Sequence, residues 1–299
     1  MGRVNAYACY RELGGHLRKL RATAELTGTA LAEELGWTTT RVSRIESGQI
    51  ELDTVELIRY LGALGIYGSA GDDLIELCRL AGRKIGYWLS PHGEWLQDSL
   101  TSLVFHEATA DRCTTYEPRL VPGLLQTAEY ARTRIAAEQW RSLTDVDECV
   151  RVQLERGQVL HVPNPGRFPF FIHEQALRFE VGSAAIMQEQ MIKLVLLAGL
   201  SHVTVRVVPT SAGDQAAFGE QFQLFEYGDN RPLVYLDNHA TGLFLEDRDY
   251  VAPYRDLVTV LSKAALDEGQ SRQMIATLAS EYDRGSERDA GRSVEEEQL

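Results

Sequence analysis

Residues 37 to 48, WTTTRVSRIESG, hold the densest set of reactive donors in the chain. Three threonines, two arginines and Ser43 crowd onto about three helical turns, leaving only Val42 and Ile45 for a core. Hydroxyls and guanidinium forks in this pattern suit recognition by hydrogen bonding. Near the start of a helix, Thr39 and Thr40 suit base edges. Arg44, one turn after Thr40, offers a bidentate fork to guanine. Thr38, Arg41, Ser43 and Gln49 flank that face and suit backbone phosphates, which fix position without reading sequence.

Groups able to make or break covalent bonds are sparse. HEQAL at 173–177 starts like a zinc-protease motif, but Leu177 stands where the second histidine would be. The seven histidines form no i, i+4 pair, so no metal site is expected. Neither phosphate-binding glycine loop is present, nor a G-x-S-x-G elbow, so no catalytic residue and no cofactor is assigned.

The elements that must carry the donor-rich stretch are legible around it. Leu13, Leu17, Leu20 and Ala24 recur at helical spacing and predict a helix over 12–24. Thr27 can cap a second helix with Ala30, Leu31 and Leu35 inward, and Gly36 supplies the turn. Thr38 can cap the third helix, which ends near Gly48. Asp53 caps a fourth whose inner face is Leu57, Leu61 and Leu64, helped by Val55 and Ile58. Short helices with a tight glycine turn between the second and third form a helix-turn-helix pattern. In that motif the polar face of the second paired helix enters the major groove.

These residues also carry a resemblance. LAEELGWTTTRVSRIESGQ resembles the phage-repressor-like (Xre) helix-turn-helix family, over residues 13–66. Leu31-Ala32, Gly36 and Ile45-Glu46-Ser47-Gly48 stand at its recurring positions. The resemblance implies a pair between Glu46 and Arg21, with Gly36 and Gly48 as structural supports. Where the family often carries a phosphate-contacting glutamine at the start of the second helix, this chain has Gly28.

Charge sets limits on any such site. The 299 residues carry a net charge of −13, so a nucleic-acid site must be a local patch. From Arg11 to Ile66, seven Lys/Arg face eight Asp/Glu. Affinity for DNA scales with cationic phosphate contacts, so one nearly neutral domain binds weakly, and a homodimer on an inverted repeat of double-stranded DNA is expected. No apolar run reaches the 18 or so residues of a membrane span and no signal pattern opens the chain; a cytoplasmic protein without a membrane partner is expected. Cys9, Cys78, Cys113 and Cys149 are widely spaced and read as reduced, mostly buried thiols.

Beyond residue 66 a glycine-rich joint (67–73) precedes helices from Leu74, over 94–110, over 127–137 and over 146–160. GYWLSPHGEW, 86–95, reads as an aromatic loop. Strands follow at 168–173, 203–208, 221–227 and 233–237, with a crossover helix at 184–197. Two more helices are expected at 250–266 and 271–282. The expected fold is an all-α helix-turn-helix bundle, then an α+β or α/β domain whose helices precede and flank a small mixed sheet. The boundaries are 1–68 for DNA binding, 69–110 for a helical connector, 111–282 for regulation and dimerisation, and 283–299 for a disordered acidic tail with little to bury.

VPGLLQTAEYA, FFIHEQALRFEVG, MQEQMIKLVLLA, VTVRVVP and LVYLDNHATGLFLED resemble successive blocks of one C-terminal domain. It follows the Xre-type domain in antitoxin-like transcriptional regulators of filamentous soil bacteria. The resemblance covers about 85–282 and implies a regulatory role, often with a small protein partner encoded by an adjacent gene; it carries no catalytic residues. Tyr87, Trp88, Trp95, Phe105 and Tyr116 could line a pocket for a small-molecule effector or anchor that partner. An enzyme with an unfamiliar constellation, or a protein-interaction adaptor built on this domain, remain the alternatives.

Overall fold

The computed structural model describes residues 7–84, 86–91, 97–137, 145–216, 219–228, 230–238 and 241–296. In chain order the elements are α1 (Ala8–Thr23), α2 (Gly28–Leu35), α3 (Thr39–Glu46), α4 (Thr54–Ala63), α5 (Asp72–Arg83), β1 (Tyr87–Pro91), α6 (Gln97–Thr109) and β2 (Arg112–Glu117). Next come α7 (Ala128–Ala137), α8 (Val146–Gly157), β3 (Phe168–His173), α9 (Glu174–Arg178), α10 (Ala184–Leu197) and β4 (Val203–Val208). Then follow β5 (Phe222–Glu226), β6 (Leu233–Asp237), β7 (Thr241–Leu245), α11 (Arg248–Ala264) and α12 (Glu268–Glu296). The helical N-terminal region and the later mixture of helices with parallel and antiparallel strands are as expected; the strand set is larger, seven among the described residues.

The chain divides into two compact units that do not follow sequence order. The first takes 1–93, 97–106 and 226–252; the second takes 94–96, 107–225 and 253–299. In the first, Leu13, Leu17, Leu31, Leu35, Val42, Ile45, Leu57 and Leu61 bury the helical core. Tyr60 joins them, whereas Val55 and Ile58 are 68% and 52% exposed. The α4 stripe runs through positions 57, 60, 61 and 64, and 55 and 58 lie off it. Ala24 also falls on the surface, just past the end of α1. The same unit holds an antiparallel run in the order β1, β7, β6. Trp88 sits opposite Phe244 across β1 and β7, the rings stacked at 4.8 Å.

In the second unit the strand order is β5, β2, β3, β4, and β2–β3 and β3–β4 are parallel. Helix α10 makes the β3-to-β4 crossover and buries Met187, Met191 and Leu194. Buried Gln190 accepts from the Thr127 amide at 2.8 Å and donates to the Leu125 carbonyl at 2.9 Å. Pro122 and the irregular backbone around it leave polar groups that such side chains satisfy. The outer edge of β4 is covered: the Val207 amide donates to Ser271 Oγ and its carbonyl accepts from the Leu266 amide, both at 2.9 Å.

Three expectations are corrected. A disordered tail was expected over 283–299, but among the described residues α12 continues past 282 to Glu296, with no proline to interrupt it. The 69–110 segment is not purely helical, because β1 forms there from residues read as an aromatic loop. The boundary near 68 does not close a compact unit, because 97–106 and 226–252 complete it.

Candidate nucleic-acid interface

The turn between α2 and α3 is built from local signals. Thr27 Oγ1 accepts from the Ala30 amide and Thr38 Oγ1 from the Arg41 amide, each at 3.1 Å. Gly36 ends α2 with φ at +66°, a left-handed conformation that costs a side-chain-bearing residue. Helix α3 then buries Val42, Ile45 and Glu46 and exposes Thr39, Thr40, Ser43 and Arg44. Thr38 and Gln49 are also exposed, so donors flank both ends of that face. Thr40 and Arg44 are one turn apart and share a face, as their spacing requires.

Arg41 lies in a different environment. It is half-buried, its guanidinium pairs with Glu56 of α4, and its Cζ lies 5.0 Å from the centre of the Trp37 ring. A ready phosphate contact was expected at this position. The side chain instead already has an anionic partner, a contact invisible in sequence because it depends on how α3 and α4 pack.

The frame behind α3 is a buried carboxylate with three donors. Arg21 reaches Glu46 in a fork, Nε to Oε1 at 2.6 Å and Nη2 to Oε2 at 2.8 Å, and the Tyr60 hydroxyl donates to Oε1 at 2.6 Å. Burial alone would raise the Glu46 pKa, but the hydrogen bonds from Arg21 and Tyr60 bring it below the ordinary value. Arg21 also donates to the Leu26 carbonyl at 2.7 Å, tying the end of α1 to the frame. Gly48 closes α3 with φ at +69°, and a Cβ there would come within 2.7 Å of the Arg11 backbone. The pair implied by the resemblance is therefore present, and Tyr60 is an additional member.

A second polar cluster in the same unit escaped the sequence. Arg11 lies 3.9 Å over the Tyr227 ring and donates to the Arg231 carbonyl at 3.1 Å. Glu12 accepts from Ser102 Oγ at 2.6 Å, and His106 Nδ1 is 2.8 Å from the Tyr227 hydroxyl. Burial, and secondarily the Arg11 charge, push the His106 imidazole well below its usual range. Its Nε2 lies 3.8 Å from Glu12 Oε2. At the start of α1 the N-cap residue Tyr7 makes no side-chain cap; Glu246 Oε1 accepts the Ala8 amide at 2.6 Å. Burial drives that carboxyl up to about 7. These contacts link residues 90 to 238 positions apart, beyond any local pattern.

The aromatic candidates do not form one lining. Trp88 and Tyr116 are core residues, 6% and 0% exposed, because both lie in buried strand positions. Phe105 packs on α1, its ring 6.1 Å from that of His16, while Tyr87 is 42% exposed beside Tyr250. Trp95 lies outside the described residues. The HEQAL motif is structural in this fold. His173 Nδ1 accepts the Gln175 amide at 3.1 Å, and Glu174 accepts the Thr210 amide at 2.9 Å while pairing with Arg178. The four cysteines are buried and unbridged. No helix among the described residues is long and apolar enough to cross a membrane.

Comparison with known proteins gives two family matches. A family described as "Helix-turn-helix domain" matches residues 12–82, and one described as "Domain of unknown function (DUF5753)" matches residues 100–277, more than half of the chain. Similar solved structures include the clp gene regulator ClgR from C. glutamicum, at 24% identity and TM-score 0.22 over 26% of this chain and 95% of that one. They also include TrmBL2, an archaeal chromatin protein, at 11% identity and TM-score 0.29 over 64% of this chain and 60% of that one. No curated protein matches. The first compact unit draws residues from both matched regions.

Proposed function

The chain belongs to the DUF5753 family and carries a helix-turn-helix domain ahead of the matched region, and from that premise we propose that it is a sequence-specific DNA-binding transcriptional regulator. The observation that carries this reading is the face of α3. Thr39, Thr40, Ser43 and Arg44 are all exposed on a helix whose Val42 and Ile45 are buried, directly after a left-handed glycine turn. Thr39, Thr40 and Arg44 read bases; Thr38, Ser43 and Gln49 hold phosphates, joined by Arg41 once it leaves Glu56.

The finer reading is an Xre-type regulator of the antitoxin-like group, cytoplasmic and without catalytic chemistry of its own. Near-neutral charge around α3 supports binding as a homodimer on an inverted repeat, since two half-sites engaged together bind at high effective concentration. The DUF5753 region is the regulatory and dimerising part, responding to a small protein partner or a small molecule.

Selection of duplexes from a random pool by the full chain tests the proposal. An inverted repeat is expected, with half-sites about one helical turn or a multiple apart. Arg44→Ala is expected to weaken binding to it by about 1–3 kcal/mol and relax preference at one position. Enrichment of no sequence, or an unaffected Arg44→Ala variant, would sink it.

A further inference from the structure

We propose that Glu56 competes with DNA phosphate for Arg41 and thereby holds down the sequence-independent affinity of the recognition helix. The inference rests on the reading of α3 as a DNA-binding helix. Arg41 stands in the first turn of α3, where a cation meets the phosphate backbone beside a groove. Its guanidinium is paired with Glu56, and Trp37 lies against it. Arg44, the other cation of α3, is exposed and takes part in no ion pair among the described residues.

Glu56 is held in place for this role. It is the third residue of α4 and closes a capping box: its amide donates to Asp53 Oδ1 at 2.8 Å, and its Oε2 lies 3.5 Å from the Asp53 amide. The carboxylate is therefore also drawn toward the start of its own helix. A phosphate that approaches Arg41 must either displace Glu56 from it or settle beside a second negative charge. Both routes oppose binding, and neither depends on base sequence. With seven cations against eight acids from Arg11 to Ile66, withholding one arginine removes a sizeable share of the available phosphate contacts. Base reading by Thr39, Thr40 and Arg44 then carries more of the discrimination.

Glu56→Gln isolates the charge, because glutamine also serves at the third position of a capping box and has the same shape. With the full chain and a random-sequence duplex at low salt, the variant is expected to bind about two- to five-fold tighter, the range set by a surface ion pair. The log–log salt slope is expected to steepen by up to about 0.9, one added phosphate contact. Glu76→Gln, an exposed residue of α5, controls for the same change in net charge. In an Arg41→Ala background the gain from Glu56→Gln should vanish, which a double-mutant cycle reads directly. Binding by the parent chain with no gain over Glu76→Gln, or with weaker binding, overturns the competition and leaves the DNA reading standing. Absence of binding in every chain overturns the DNA reading itself, and the competition with it.

Discussion

At the scale of single residues, Glu46 shows how much one buried carboxylate can organise. Its two oxygens take donors from α1 and α4 while its backbone closes α3, so three helices meet at one side chain. Glu46→Ala would leave the Arg21 guanidinium without its anion, on the order of 3 kcal/mol of destabilisation. Glu51→Ala breaks an exposed pair with Lys84 and should cost less than about 1 kcal/mol. Denaturant melts of the two full-length variants check this, and equal midpoint shifts would show that the Glu46 frame is superficial. Residues of this kind were legible where the resemblance implied the partner, as with Arg21, or where it lay three positions on, as at the caps Thr27, Thr38 and Asp53. Glu56 was not, because whether a surface carboxylate meets an arginine depends on how two helices pack.

At the scale of elements, β3, α10, β4 and β6 were readable to the residue, since β4 alternates and the others are apolar-rich runs with clear stops. Strand β2 was not. Cys113, Thr114, Thr115 and Tyr116 are all buried, so RCTTYE shows neither alternation nor an apolar run. Strands β1 and β7 are five residues each and find each other across some 150 residues, which no local pattern reports. The beginning of α1 was missed for the same reason, as its cap is Glu246. That carboxyl is raised by burial from 4.5 to about 7 in the folded protein. A raised carboxyl binds more protons folded than unfolded, so its favourable contribution is complete below pH 4.5 and is lost as pH rises through 7. Glu246→Gln keeps an acceptor for Ala8 but cannot ionise. Its melting temperature is therefore expected to gain on that of the parent between pH 5 and pH 8. Parallel curves across that window would show that the group titrates as it does when unfolded.

At the scale of the whole molecule, α3 belongs to a unit whose parts are written far apart in the sequence. The side of α1 that carries Arg11 and Glu12 is covered by Ser102, His106, Tyr227 and Arg231. Residues 1–70 alone would leave those charges without their partners. The fragment is expected to melt well below the full chain, and amide exchange in its α1 to be faster than in the intact protein. Equal protection would show that 97–106 and 226–252 add nothing to the helix. The same interleaving sets a clock on biosynthesis. The first unit's last strand, β7, ends at Leu245 and the unit runs on to residue 252, so at about 5–20 residues per second the helices made first wait about 10 to 40 seconds for their cover. A chain cut short by a premature stop anywhere before that point never completes the unit holding α3. Damaged messages thus yield no complete first compact unit around α3.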